Sequence, residues 1–171
     1  EIEVCDWSSD VCSSDLIYRI CVSGSHAKEN PFQHYLDFLY ELGELSEDEQ
    51  KLYAGIGREF IQTIETTEMQ KVYKMPILYS FYNHGNIRLA VTDEEVLESW
   101  KEFFDTGTNW KDFPNVNTYE DYKKVTDKQH LSKAKRMPIR YLKASGKGFF
   151  VEKDGYALAL RDEIGEVVGN M

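Results

Sequence analysis

Phe149-Phe150-Val151-Glu152-Lys153-Asp154-Gly155-Tyr156-Ala157-Leu158-Ala159-Leu160 consists of two apolar runs joined across Asp154-Gly155. Asp-Gly between alternating or apolar runs is the strongest short-range signal for a β-hairpin, because both residues accept the positive φ that a tight turn demands. The spacing predicts strands over Phe149–Lys153 and Tyr156–Leu160. Working back from this hairpin, one helix, in one or two pieces, is expected from about Tyr119 to Ala144. Pro138 interrupts it, so Met137 is the expected boundary. The turn formers between Asp105 and Asn117, with Thr106-Gly107 and Pro114, read as loop.

Further towards the N-terminus the helical period repeats. Asn30-Pro31 opens a helix carrying Phe32, Tyr35, Leu36, Leu39 and Leu42 on one face, and Gly43 ends it. Ser46 with Glu49 forms a capping box for a helix whose stripe is Leu52, Tyr53, Ile56, Phe60, Ile61 and Ile64. Gly55 and Gly57 inside it read as a close helix–helix contact, since the strand and lysine of a phosphate loop are absent. A third helix holds Val72, Met75, Ile77, Leu78 and Phe81, with Pro76 near its first turn. Ile87, Leu89 and Val91 alternate like a short strand, and Thr92 with Glu95 caps a helix bearing Val96, Leu97, Trp100, Phe103 and Phe104. Helices closed by a hairpin predict a mainly α fold with a C-terminal β-hairpin (α+β), winged-helix-like in pattern.

The first sixteen residues stand apart. Asp6-Trp7-Ser8-Ser9-Asp10-Val11-Cys12-Ser13-Ser14-Asp15-Leu16 back-translates, with permitted codons, to a string that looks like the indexed adapter of short-read libraries. Residues 1–16 are therefore read as an adapter-derived artefact outside the fold. The expected organisation is a lead-in segment over 17–29, a helical domain closed by the hairpin over 30–164, and a tail over 165–171. The natural start is expected upstream of Ile17. Setting residues 1–16 aside moves the formal net charge from −10 to −5 and leaves Cys21 as the one cysteine. That excludes a disulfide framework and favours a reduced, cytoplasmic setting. No run is long and apolar enough to span a membrane, so no membrane partner is expected.

Catalytic patterns are missing. His26, His34, His84 and His130 lie far apart, and there is no His-Glu-x-x-His, Walker loop or nucleophile elbow. Glu47, Asp48 and Glu49 fall in a first helical turn, where acids complement the dipole. Asp121-x-Lys123 and Glu152-Lys153 lack the second carboxylate that a nuclease needs. No catalytic residue, metal site or cofactor is expected in this fragment.

Charge asymmetry says more. Residues 17–116 hold nine Lys and Arg against seventeen Asp and Glu, whereas residues 117–161 hold eleven against five. Basic residues gathered at one end of an acidic chain form an electrostatic footprint for nucleic acid. The candidates are Lys133, Lys135, Arg136, Arg140, Lys143 and Lys147, just ahead of the hairpin. Of Phe149 and Phe150, adjacent in a strand, one is expected to face outward, where it could stack on a base. The competing expectation is a protein-interaction or bracing module with no nucleic-acid contact, which suits the acidic half and the abundant aromatics.

Ile64-Glu65-Thr66-Thr67-Glu68-Met69-Gln70-Lys71-Val72-Tyr73-Lys74-Met75-Pro76-Ile77-Leu78 resembles a helix of the C-terminal accessory region of bacterial DEAD/DEAH-box helicases of superfamily II. Met137-Pro138-Ile139 and the Phe149–Leu160 hairpin are similar to the closing part of that region. Val72 stands where serine is often met. The resemblance spans roughly Asn30 to Ile164. It implies a non-catalytic domain that assists DNA binding beside an upstream helicase core, with ATP and Mg²⁺ belonging to the parent protein.

Overall fold

The computed structural model describes residues 31, 34–67, 72–83 and 86–168. The adapter-like residues 1–16, the expected strand over Ile17–Val22, Cys21, His26 and His84 lie outside them. The chain forms two compact units divided between Thr66 and Thr67.

Among the described residues the first unit contains three helices: α1 (Tyr35–Leu42), α2 (Glu47–Ala54) and α3 (Ile56–Glu65). Helix α1 begins at Tyr35, later than Asn30-Pro31 suggests, with His34 at the N-cap position, and ends at Gly43 in the left-handed region (φ 74°). Ser46 and Glu49 cap α2 reciprocally. The single helix expected across Gly55 is broken there. A Cβ on Gly57 would lie 2.3 Å from the Leu52 side chain, so the glycine admits a buried leucine beneath it.

The second unit is helical with a small antiparallel sheet. Its order is α4 (Lys74–Phe81), β1 (Tyr82–Asn83), β2 (Asn86–Ile87), β3 (Ala90–Val91), α5 (Asp93–Asp105), a 3₁₀ turn (Asn109–Asp112), α6 (Tyr119–Lys123), α7 (Asp127–Ala134), a π turn (Lys135–Ile139), α8 (Arg140–Ser145), β4 (Phe150–Val151), β5 (Leu158–Leu160) and α9 (Asp162–Val168). Strands β1 and β2 make a two-stranded ladder, and the larger sheet runs β3-β5-β4. The fold is thus mainly α with a C-terminal hairpin. Helix, strand, helices and hairpin, with β3, the first strand of the larger sheet, pairing on β5, its last, make it winged-helix-like.

Three local features differ from the sequence expectations. The hairpin ladder pairs Phe150 with Leu160 and Val151 with Ala159, then opens into a loop over 152–157. A two-residue turn at Asp154-Gly155 would shift that register by one. Leu158, Ala159 and Leu160 are all buried, so β5 carries no alternation by which its sequence could announce that register. Secondly, β3 joins β5, pairing Ala90 with Ala159 and Val91 with Leu158, which nothing in the hairpin itself announces. Thirdly, α9 continues to Val168, into the expected tail.

The helix expected from Tyr119 to Ala144 breaks early and passes through its proline. Thr126 caps α7, its hydroxyl accepting from the Gln129 amide while the Gln129 side chain accepts from the Thr126 amide. Pro138 sits inside the π turn and the helix runs on. A proline lacks the N–H of an α-helical bond and its ring crowds the carbonyl four residues back, and a wider turn relieves both.

The core of this unit is aromatic. Trp100 and Phe104 are fully buried, with centroids 4.9 Å apart, and Phe113 meets Phe104 edge-on at 5.6 Å. Ser99 Oγ donates to the Pro76 carbonyl at 2.8 Å, tying α5 to α4. Among the described residues no helix is long and apolar enough to cross a membrane.

Replacing buried Leu158 by alanine should cost about 2–5 kcal/mol in urea unfolding. Thr92→Ala, which removes the α5 cap, should cost about 1 kcal/mol. A smaller loss from Leu158→Ala than from Thr92→Ala would contradict the central place of β5.

Candidate nucleic-acid interface

The six sequence candidates fall on one continuous helical run and the turn that follows it. Lys133 lies near the end of α7, Lys135 and Arg136 in the π turn, Arg140 and Lys143 in α8, and Lys147 in the turn before β4. His130, Ala134, Pro138, Ile139 and Leu142 face inward and fix the orientation of the run.

The cations divide into two groups. Lys133 lies with its ammonium 5.0 Å from the Tyr73 ring and donates to Met137 Sδ at 2.9 Å, so its stem packs against the core. Lys135 pairs with Asp93 at 2.6 Å and Lys143 pairs with Glu152. These two bridges fasten the run to the start of α5 and to the hairpin loop. The Lys143 ammonium also holds the Glu152 carboxyl below its ordinary range. Arg136, Arg140 and Lys147 are exposed and make no ion pair among the described residues.

Two features of the exposed face were not singled out from sequence. Lys128, Ser132, Arg136, Arg140 and Ala144 follow one another at every fourth position and all are exposed. In an α-helix such a row drifts by about 40° per step. The wider π turn, with its i→i+5 bonds, takes part of that drift back. Lys128, Ser132 and Arg136 border a cleft of about 490 Å³ whose far side is the loop at Phe113–Val116. Tyr141, 55% exposed, stands beside Arg140. The spacing of four was visible in the sequence, but Pro138 in its midst obscured it.

Lys147 adopts φ 48°, in the left-handed region, between Gly146 and Gly148. The turn must be tight because Gly146 packs against the Leu142 carbonyl and the Phe150 ring, leaving no room for a Cβ. Phe149 and Phe150 are 2% and 4% exposed, so neither offers a face to a base. Phe150 meets Phe81 edge-on, and the Arg161 guanidinium covers the Phe149 ring at 5.1 Å. The outward phenylalanine expected from strand alternation is lost because Phe149 precedes the strand and helices cover the sheet.

His130 is 3% exposed, wedged against Phe113 (4.9 Å) and Tyr122 (5.5 Å), and its Nδ1 has no hydrogen-bond partner among the described residues. Burial, reinforced by the charge of Lys101, lowers its pKa, against the opposing pull of Asp105 and Asp127. Among the described residues, no three His, Cys, Asp or Glu side chains are grouped to hold a metal ion.

The unfolded chain protonates His130 near 6.5, the folded chain only at lower pH. Stability from this group is therefore complete above 6.5 and is lost as pH falls towards the folded value. Urea unfolding between pH 7 and 5 should show that loss, and His130→Leu should remove it. A slope unchanged in the variant would assign the effect to other groups.

No protein-family model, curated protein or solved structure matches the chain.

Proposed function

We propose that this chain is a non-catalytic C-terminal domain of a DEAD/DEAH-box helicase and that it assists the motor by holding DNA on the exposed basic row of α7, the π turn and α8. ATP and Mg²⁺ would be held by the upstream helicase core, and the setting would be cytoplasmic. The sequence resemblance over Asn30 to Ile164 supports the company it keeps. One observation carries the DNA reading: Lys128, Arg136 and Arg140 on the helical run, and Lys147 in the turn that follows it, are exposed and without ion pairs among the described residues.

The physical case rests on that freedom. A lysine already paired with a carboxylate gains little by turning to a phosphate, because it must give up one partner for another. An unpaired guanidinium forgoes only water, and its planar fork matches a phosphate or a guanine edge with two hydrogen bonds. Helices of helix-turn-helix proteins meet DNA on such a face, with side chains at successive turns reaching the duplex. Lys135 and Lys143 then hold the run in place and contribute little to contact. This narrows the six sequence candidates to Arg136, Arg140 and Lys147, and adds Lys128.

Binding to a duplex oligonucleotide should weaken steeply with salt, since each phosphate contact releases counterions. In the triple variant R136Q/R140Q/K147Q the slope of log Kobs against log salt should fall by about 3. The double variant K135Q/K143Q should bind nearly as the parent does. Unchanged affinity and slope in the triple variant would overturn the reading.

A further inference from the structure

We propose that a second binding site lies in the cleft between α4, α5 and the 3₁₀ turn, and that it takes an arginine or lysine side chain from a basic segment of a partner protein. The cleft has a volume of about 430 Å³ and shares no residue with the basic row. Tyr79, Tyr82 and Phe103 provide its aromatic walls and Glu102 its one formal charge. Tyr79 and Tyr82 are 48% and 58% exposed, so both rings present a face to solvent at the cleft. Tyr79 and Phe103 pack against each other, 6.3 Å apart with their planes tilted by 37°, and form one continuous aromatic wall.

The other polar groups of the cleft are already engaged. Ser99 Oγ donates to the Pro76 carbonyl, Asn109 Nδ2 to the Phe103 carbonyl at 2.9 Å, and Thr106 Oγ1 to the Glu102 carbonyl at 2.8 Å. What remains for a ligand is aromatic faces, phenol hydroxyls and a carboxylate. That set suits a cation with an apolar stem: the ring quadrupole attracts the charge while the stem lies along the wall. The one lysine of α5, Lys101, is engaged by Asp127 at 2.8 Å. The Glu102 carboxylate, the cleft's one charge, repels a phosphate chain, so this cleft does not extend the DNA face. Charge complementarity selects a basic protein segment.

The experiment uses the full chain and an acetylated, amidated Gly-Arg-Gly-Arg-Gly peptide, followed by tyrosine fluorescence, with spermidine as the free-cation control. The peptide should bind saturably. Tyr79→Ala and Glu102→Gln, both at exposed side chains and checked for an unchanged thermal transition, should each weaken it about tenfold. Glu102→Lys should abolish binding. Absence of saturable binding, or equal affinity in the parent and both milder variants, would overturn the site. Spermidine binding as tightly as the peptide, with the same sensitivity to Tyr79→Ala, would overturn the protein-segment assignment.

Discussion

Three consecutive residues of one strand, Leu158, Ala159 and Leu160, are buried together. Successive side chains of a strand point to opposite faces, so burial without alternation requires cover on both sides. Much of the second unit answers that requirement. Strands β3 and β4 satisfy the two edges of β5, carrying Val91 and Phe150 into the same core. Ile164, fully buried one turn into α9, follows directly from the strand. The main-chain bonds from Ala157 to Val91, from Leu160 to Leu89 and from Arg161 to Phe149 continue the pairing beyond the short ladders.

The same arrangement explains why the basic residues have different roles despite their shared charge. The helical run from Asp127 to Ser145 must present His130, Ala134, Ile139 and Leu142 inward to this core. Cations near the edge of the buried face find carboxylates on neighbouring elements, Asp93 on α5 and Glu152 in the hairpin loop. Such exposed pairs contribute modestly to stability, but they fix orientation. Cations on the opposite face find only solvent. Position around the helix thus separates fastening residues from residues free to meet a ligand.

Much of this was legible in the sequence where local chemistry is strong. The capping boxes at Ser46 and Thr92, the glycine stop at Gly43 and the hairpin about Gly155 are set by neighbours in the chain. What was hidden depends on partners far away. The pairing of β5 with β3, some seventy residues earlier, has no signal in the hairpin itself. The break before α7 was available in Thr126-x-x-Gln129, yet the more conspicuous Pro138 drew the boundary to itself. The basic segment was visible as composition, but composition cannot tell Lys135, paired with Asp93, from Arg136 beside it. The cleft at Tyr79 and Glu102 left no compact motif, because its walls come from two helices and a turn.

The π turn at Lys135–Ile139 has a further meaning for this surface. Each residue added to or removed from a helix rotates everything beyond it by about 100°. A single deletion within Lys135–Ile139 would restore a narrower turn and carry Arg140 and Lys143 together into the buried places of Ile139 and Leu142. Leu142 would swing out of the core in the same movement. The polypeptide therefore keeps its charge map and its packing map in one frame, and the length of a five-residue turn maintains their phase.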